Sequence, residues 1–145
     1  MTDRFSRTKV IVVGGGAAGM IAAIIAARNH NEVILLEKNN KLGKKLYITG
    51  KGRCNITNAC DTDLFHNVVT NSKFLYGAFY SFSNYDLIHF FEELGLKTKI
   101  ERGNRVFPES DKSSDVIFAL SRELNRLHVD IRYEQEVEQI LIEES

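Results

Sequence analysis

The amino-acid sequence predicts an α/β domain built on a parallel β-sheet. Short runs rich in Val, Ile and Leu alternate with helical segments, as in parallel sheets whose strands are covered on both faces. A glycine-rich turn joins the first of these strands to the first helix, and an acidic residue ends the second strand. The composition agrees, because 43% of the residues are hydrophobic and 26% are charged. That mixture is typical of globular chains and excludes a disordered or low-complexity protein.

The first 60 residues predict a strand, a helix, a second strand and then a long irregular segment. We expect the first strand over 8–14, the helix over 16–28 and the second strand over 32–37, which together form a βαβ unit. Residues 38–60 are polar, basic and glycine-containing, as expected of a functional loop. The stretch Val10–Ala27 carries no charge, but its glycines divide it into a strand and a helix. We therefore expect no membrane span.

The second half of the chain predicts helices and short strands around an aromatic core. Aromatic side chains are concentrated between residues 61 and 96, and we expect most of them to be buried. The predicted elements are a helix capped by Ser83 or Asn84 and ended by Gly95, strands Lys97–Arg102 and Arg105–Phe107 turning at Gly103-Asn104, a helix from Ser113 or Ser114 to Leu127, and strands Val129–Tyr133 and Val137–Ile142.

Charge and cysteine content exclude several classes of function. Lys and Arg number 19 and so do Asp and Glu, which removes the electrostatic case for a nucleic-acid binder. Two cysteines are too few for a disulfide framework, and the four histidines lack metal-ligand spacing, so we predict no metal site and a cytoplasmic, reducing location. A small parallel sheet leaves an open edge, through which self-association is conceivable.

The strongest local motif is a glycine pattern at the junction of the first strand and helix. Gly14 permits the tight turn, Gly16 lets a pyrophosphate approach the backbone, and Gly19 lets the helix pack closely on the sheet. The helix N-terminus offers N–H groups and a positive dipole end to phosphates. Glu37 ends the second strand and is suited to bind a ribose diol, which disfavours NADP. The motif predicts a dinucleotide ligand, with NAD and FAD both open.

A second motif, Gly50–Asn58, favours FAD. Small and hydrogen-bonding residues follow one another there, and such a stretch can lay its backbone along a flat heterocycle. Several cations between residues 38 and 53 could surround a diphosphate or an anionic flavin ring. Cys54 lies in this cationic loop, where its thiol pKa could be lowered. We favour instead a role for Cys54 as a small residue beside the flavin.

Taken together, these segments resemble a bacterial flavoprotein family, the NAD(P)/FAD-dependent oxidoreductases that include aminoacetone oxidase-like and dehydro-bile-acid reductase-like enzymes. The resemblance implies a glutathione-reductase-like Rossmann FAD-binding domain with three layers and a parallel sheet. It covers only the N-terminal third of such proteins, so residues 1–145 would be a partial FAD-binding domain without the substrate domain or the C-terminal half. The segments that carry it are Val10–Gly19, Leu36–Lys38, Gly43–Leu46, Thr49–Asn58, Arg105–Pro108 and Ser110–Ser114.

The resemblance also implies cofactor contacts, with FAD as the cofactor and NAD(P)H as a candidate electron donor. No residue is identified as a catalytic acid or base, and we expect the truncated chain to be inactive alone. Two alternatives stay open: an NAD-binding module without flavin, and a non-catalytic fragment that binds a nucleotide or a partner chain. The implied contacts are Gly14, Gly16, Ala17, Ala18 and Gly19 to the pyrophosphate, Glu37 to the ribose, Lys38 and Lys45 to the adenosine or diphosphate, Gly52, Arg53, Cys54 and Asn55 to the flavin end, and Val137 to adenine.

Overall fold

The computed structural model describes residues 8–61, Leu64 and residues 72–142. The chain divides into two compact units. The first unit comprises Met1–Leu46 and Leu120–Ser145, and the second comprises Tyr47–Ala119.

The first unit contains the predicted βαβ arrangement and a third parallel strand. The sheet order is β1-β2-β6, with both neighbouring pairs parallel and with Val12, Leu35 and Ile131 in register. Helix α1 contacts β1 and β2. The fold class predicted from the sequence is thereby confirmed. The elements of this sheet are β1 Lys9–Val13, α1 Ala17–Arg28, β2 Glu32–Leu36 and β6 Asp130–Arg132.

Burial on the two faces of this sheet is unequal. Met20 and Ile24 of α1 are fully buried, and so is Leu35 of β2. Alternate residues of a strand point to opposite faces, and Ile11 and Val13 of β1 are each 58% exposed. Within the described residues, the sheet has a helical layer on one face only, so two of the three predicted layers are present.

Strand β1 forms one edge of the sheet, because among the described residues it pairs with β2 alone. Self-association through this edge stays a prediction. We expect Ile11→Lys, which places a charge beside the edge, to shift the protein toward monomer in sedimentation velocity at increasing concentration. A wild-type protein that sediments as a monomer at every concentration would contradict self-association.

The second unit contains an antiparallel sheet of order β3-β5-β4 and most of the helices. The predicted hairpin at Gly103-Asn104 is confirmed, and both turn residues have positive φ. Ser83 caps its helix through a reciprocal arrangement with Asp86. Strand β3 was not predicted. The remaining elements are a kinked 3₁₀ segment Leu46–Gly52, β3 Thr57–Asn58, α2 Ser72–Ser81, α3 Asn84–Glu93, β4 Thr98–Glu101, β5 Arg105–Pro108 and α4 Ser113–Arg126, which ends in the first unit.

The charge-free stretch near the N-terminus is divided as predicted. Strand β1 ends at Val13 and helix α1 begins at Ala17, with the glycine turn between them. Across the part of the chain that the structure describes, no helix combines the length and the apolar character needed to cross a bilayer.

The strand predicted at Val137–Ile142 is wrong. These residues have no regular secondary structure, and Ile140 and Ile142 are 78% and 89% exposed. Branched side chains favour a strand only where a neighbouring strand supplies hydrogen bonds and packing. No described strand pairs with this segment.

The aromatic residues of the second half are only partly in the core. Phe90 and Phe91 are buried and meet edge to face, with ring centroids 5.5 Å apart. Phe74 and Tyr80 of α2 are instead 87% and 85% exposed, so their predicted burial is wrong. Phe65 lies outside the described residues. Residues 74–80 are nearly all apolar or aromatic, so residue type alone did not reveal which of these rings are covered.

In the first unit, Glu123 of α4 is a buried acceptor for two guanidinium groups. Its side chain is 6% exposed, and its oxygens lie 2.7 Å from Nε of Arg126 and 2.8 Å from Nη2 of Arg28. Hydrogen bonds from Arg126 and then Arg28 lower the pKa of Glu123 to about 2. The carboxylate is therefore ionised over the whole neutral and mildly acidic range.

We expect Glu123→Gln to destabilise the fold at neutral pH by about 2 kcal/mol, the usual scale for hydrogen bonds to a charged group. Because the folded pKa lies below the ordinary value of 4.5, this stabilisation is present above pH 4.5 and is lost as the pH falls toward 2. Thermal unfolding of wild type and variant should therefore differ at pH 7 and converge in acid. Glu138→Gln, at an exposed position, is the control. A difference that does not change with pH would contradict this role of Glu123.

Candidate nucleotide-binding site

The glycine turn after β1 opens the N-terminus of helix α1. Gly14 has φ +97°, in the left-handed region, and its N–H donates to the carbonyl of Leu36 at 2.7 Å. Gly16 is the N-cap of α1, and the two alanines that follow it are exposed. None of these residues has a side-chain oxygen that could cap the free N–H groups of the first turn. The helix therefore presents backbone donors and a positive dipole end to an anion.

The three glycines of the motif are required for different reasons. A Cβ at Gly19 would lie 1.8 Å from the carbonyl oxygen of Gly14, so close packing of the helix excludes any side chain. Gly14 is required by its φ. A Cβ at Gly16 would meet no atom within 4 Å, and its φ of −82° suits any residue. The roles predicted for Gly14 and Gly19 are confirmed, and among the described residues no packing contact accounts for Gly16.

Gly15 was missed by sequence reasoning, which treated it as a variable position of the motif. A Cβ there would lie 2.3 Å from Cδ2 of Leu42 and 3.0 Å from Oε2 of Glu37. The N–H of Gly43 donates to the Gly15 carbonyl at 2.8 Å. The segment that follows β2 thus packs directly on the glycine turn. The run of three successive glycines was the signal that could have identified this contact.

Glu37 is the buried centre of this contact. Glu37 is 6% exposed, and its Oε2 accepts a hydrogen bond from the Gly15 N–H at 2.7 Å. Oε1 accepts the backbone N–H of Asn39 at 2.8 Å and its side-chain amide at 2.5 Å. Burial raises the pKa of Glu37, but the hydrogen bonds from Asn39 and Gly15 outweigh it, so the pKa lies below its ordinary value of 4.5. A buried carboxylate therefore joins the glycine turn to the turn after β2.

Asn39 and Lys44 extend this chain of hydrogen bonds to the surface. Sequence reasoning counted Lys44 among the cations of this loop but missed Asn39. Nζ of Lys44 donates to Oδ1 of Asn39 at 3.0 Å. The Asn39 carbonyl accepts the N–H of Glu134, and the Glu37 carbonyl accepts the N–H of Gln135 at 3.0 Å. An asparagine two residues after a strand-ending acid is a typical turn former, and this was the available signal.

The other predicted residues of the first unit lie around this turn on the surface. Lys38 is exposed, and its Nζ lies 3.6 Å from Glu136, next to Val137 in sequence. Val137 follows β6 by five residues and is 37% exposed. Lys45 is exposed. Gly14 and Gly16 belong to the glycine turn, and Ala17, Ala18 and Gly19 belong to the first turn of α1.

In the second unit, the predicted flavin-end residues form a loop with unusual backbone angles. Gly52 and Cys54 have positive φ, while Asn55 is exposed. Cys54 is 2% exposed, and burial raises the pKa of its thiol. The lowered pKa considered for the Cys54 thiol is therefore wrong, because loss of hydration outweighs the hydrogen bond with Thr49, which lowers the pKa. Neither Cys54 nor Cys60 is in a disulfide.

Arg53 is held by carboxylates of its own unit. Its Nε donates to Oδ1 of Asp111 at 2.8 Å, and an Nη donates to Glu101. Its guanidinium carbon lies 4.1 Å from the ring centroid of Phe107. Asp111 lies in the turn after β5, where its N–H donates to the carbonyl of Pro108 at 3.0 Å, and its carboxylate accepts from Arg53 and Lys99.

The serines proposed as helix caps also behave differently. Helix α4 begins at Ser113 itself, and the Ser113 hydroxyl donates to the carbonyl of Tyr47 at 3.2 Å. Within the described ranges, no group of three or more His, Cys, Asp and Glu side chains is placed to hold a metal ion.

Comparison with known proteins identifies a curated relative and similar folds. The relative is the 3-dehydro-bile acid delta(4,6)-reductase of Clostridium scindens, 38% identical over 97 residues. The match covers 66% of this chain but 23% of the reductase, so the chain matches about a quarter of that protein.

Two solved structures share the fold at lower identity. The 3-ketosteroid-delta4-(5alpha)-dehydrogenase from Rhodococcus jostii RHA1 has a TM-score of 0.64 at 14% identity, covering 91% of this chain and 39% of the dehydrogenase. The open conformation of a flavocytochrome c3 fumarate reductase has a TM-score of 0.56 at 24% identity, covering 89% of this chain and 27% of the reductase.

A family description matches nearly the whole chain. Residues 8–145 match the HI0933-like protein Rossmann domain, which includes the glycine turn, Glu37 and the loop around Arg53. This chain belongs to the HI0933-like Rossmann-domain family.

Proposed function

We propose that this chain binds FAD and forms the nucleotide-binding part of a flavoprotein oxidoreductase. The observation that carries the proposal is Gly16, whose missing side chain is required by neither packing nor backbone angle, at the open N-terminus of α1. Gly16 lies beside the N–H groups of the first helical turn, and no described contact explains why this position is a glycine. This supports the close approach of a pyrophosphate to the backbone at Gly16.

The diphosphate would bind at the glycine turn, which fits it in chemistry and space. Backbone N–H groups from the first turn of α1 would donate to its oxygens, with Gly14, Gly16, Ala17, Ala18 and Gly19 forming the cradle. These residues carry no charge that would repel a phosphate. The exposed Lys38 and Lys45 would add positive charge near the adenosine or diphosphate.

Glu37 would bind the adenosine ribose while it holds the turn. Its Oε2 accepts one hydrogen bond in the structure, from Gly15, and a carboxylate oxygen has room for two. A ribose hydroxyl could therefore be added without displacing Gly15. The same buried negative charge disfavours a 2′-phosphate, and the backbone of Val137 would contact adenine.

The flavin end would be bound by the loop that contains Gly52, Arg53, Cys54 and Asn55. Bound FAD would supply hydride chemistry, with NAD(P)H as a candidate donor. The relative from Clostridium scindens is by name a reductase, and a fold neighbour is by name a flavocytochrome. Both support an oxidoreductase role, and the free thiols of Cys54 and Cys60 agree with a reducing, cytoplasmic location.

The visible absorption spectrum of the purified chain, after addition of FAD and desalting, tests this proposal. We expect a retained flavin band that Gly16→Val abolishes, because a branched side chain would occupy the space of the pyrophosphate. Gly77→Val is the matched control, since a Cβ at Gly77 also meets no atom within 4 Å and lies far from the motif in sequence. Both variants should keep a cooperative unfolding transition.

The alternatives predict other results. If the folded wild type retains no flavin but binds NAD in a calorimetric titration, the NAD-binding module is favoured. If it retains neither, a non-catalytic fragment is favoured. A flavin band that survives Gly16→Val would contradict the role given to the glycine turn.

A further inference from the structure

The loop that contains Arg53 has a backbone that must be held in place. Gly50, Lys51, Gly52 and Cys54 all have φ between +54° and +86°. Two of these residues carry side chains, and a left-handed conformation is unfavourable for such residues. A loop of this kind persists only where surrounding contacts offset that cost.

Backbone contacts within the second unit supply part of this support. The N–H of Cys54 donates to the carbonyl of Thr49 at 3.1 Å, and that of Ile56 donates to the carbonyl of Val106 at 2.8 Å. A Cβ at Gly50 would lie 3.0 Å from the nitrogen of Asn55 and 3.3 Å from the Phe107 ring. The loop is thus wrapped tightly against β5.

Side chains from β4, from β5 and from the turn after β5 complete the support, and they meet at Arg53. The guanidinium of Arg53 lies over Phe107 and donates to Asp111 and Glu101. Nζ of Lys99 lies 2.6 Å from the second oxygen of Asp111 and 3.6 Å from Glu101. The loop around Arg53 therefore meets a distant part of the chain, residues 99–111, in one cluster.

The charges of this cluster cancel, which limits what Arg53 can offer a ligand. Two cations face two carboxylates, and all four side chains are between 29% and 42% exposed. The Nε and Nη2 donors of Arg53 are engaged by carboxylates and one face of the guanidinium lies on a ring, so these groups are less available to an anionic ligand. Carboxylates and an aromatic ring are partners that suit the planar guanidinium of arginine better than the ammonium of lysine.

We propose that Arg53 and Asp111 are positioning residues that hold the loop from Thr49 to Asn55 in its left-handed conformation, and that Arg53 acts on the flavin through this loop and not by contact. The proposal rests on the proposed function, in which this loop binds the flavin end of FAD. Arg53 is thereby given a role different from the direct contact implied by the family resemblance.

Asp111→Asn separates the two roles because they predict opposite changes. If Arg53 positions the loop, losing the Asp111 charge loosens the loop, and the Kd for FAD should rise about tenfold, the value of one charge-assisted hydrogen bond. If Arg53 contacts the flavin, the same change frees the guanidinium, and the Kd should stay the same or fall. Arg53→Lys and Glu101→Gln should weaken FAD binding in the same way as Asp111→Asn.

The Kd for ADP separates loop positioning from general destabilisation. ADP lacks the flavin, so its affinity should be unchanged in all three variants, whereas a loss of overall stability would weaken both ligands. Glu109→Gln, in the same connection but outside the cluster, is the matched control and should change neither Kd. Weakened FAD binding that is matched by weakened ADP binding would overturn the proposal.

Hydrogen exchange of the ligand-free protein tests the positioning without any cofactor. Amides between residues 49 and 55 should exchange faster in Asp111→Asn and Arg53→Lys than in wild type or Glu109→Gln. Unchanged exchange would overturn the positioning role even if FAD binds. A wild type that fails to bind FAD would instead overturn the proposed function, while the exchange result would still decide whether Asp111 and Arg53 hold the loop.

Discussion

Gly19→Ala is expected to be among the most destabilising single substitutions in this chain. The added methyl carbon would lie 1.8 Å from the carbonyl oxygen of Gly14, 3.1 Å from its carbonyl carbon and 3.5 Å from Cγ1 of Val12. Two of these atoms belong to the backbone of the turn, so no side chain can rotate away to relieve the clash. Helix α1 would have to move off β1, which opens the packing around Met20 and Ile24.

Overpacking of this kind costs about 3 kcal/mol, and in a chain of this size that corresponds to a fall in Tm of about 10 °C. Thermal unfolding followed by circular dichroism measures it. Gly77→Ala is the matched control, because Gly77 lies inside helix α2 with open space around its Cα. That substitution should stabilise the protein by about 0.5–1 kcal/mol through helix propensity.

Gly16→Ala completes the comparison within the motif itself. Its Cβ meets no atom within 4 Å, so the Tm should stay near that of wild type. Opposite responses at Gly16 and Gly19 would show that one glycine serves a ligand and the other serves the fold. A Gly19→Ala variant as stable as wild type would contradict the close packing of α1 on the turn.

The βαβ unit could be predicted from sequence because its information is local. The branched run before Gly14 and the alanine-rich run after it differ in composition, and the glycines mark the boundary between them. The hairpin at Gly103-Asn104 and the cap at Ser83 were predictable for the same reason. Each depends on a few adjacent residues whose backbone preferences agree with the final fold.

What could not be predicted depends on contacts between distant parts of the chain. The carboxylate of Asp111 accepts from Lys99, 12 residues earlier, and from Arg53, 58 residues earlier. Glu37 was identified as a ligand-binding acid, and its contact with Gly15 depends on how the segment after β2 folds back. The branched residues at Val137–Ile142 predicted a strand, although a strand also needs a partner, which residue type does not reveal.

Glu37→Gln is expected to weaken the candidate site and the fold together. The carboxylate accepts three N–H groups, one from Gly15 and two from Asn39, with an oxygen on each side. A glutamine amide has one oxygen, so its NH₂ group must face either Gly15 or Asn39 and leave buried donors unsatisfied. An unsatisfied buried group costs about 1–3 kcal/mol, and the ribose would lose a charged acceptor.

We expect Glu37→Gln to lower the Tm and to raise the Kd for FAD by about 10–100-fold, the equivalent of two charge-assisted hydrogen bonds at most. Isothermal titration calorimetry and thermal unfolding measure the two effects. Glu32→Gln is the matched control, because Glu32 lies at the other end of β2 and is exposed, with its carboxylate 3.6 Å from Lys9. Exposed pairs of this kind contribute about 0–1 kcal/mol.

The pH dependence distinguishes the hydrogen-bonded carboxylate from a mere change of shape. Since the folded pKa of Glu37 lies below 4.5, the ionised group stabilises the protein above that pH, and this contribution is lost as the pH falls through the folded pKa. The difference in Tm between wild type and Glu37→Gln should therefore be largest near neutrality and shrink in acid, whereas Glu32→Gln should change little. A Tm difference that stays constant with pH would mean that the charge of Glu37 does not hold Gly15 and Asn39. The glycine turn would then keep its shape through the packing of Leu42 alone.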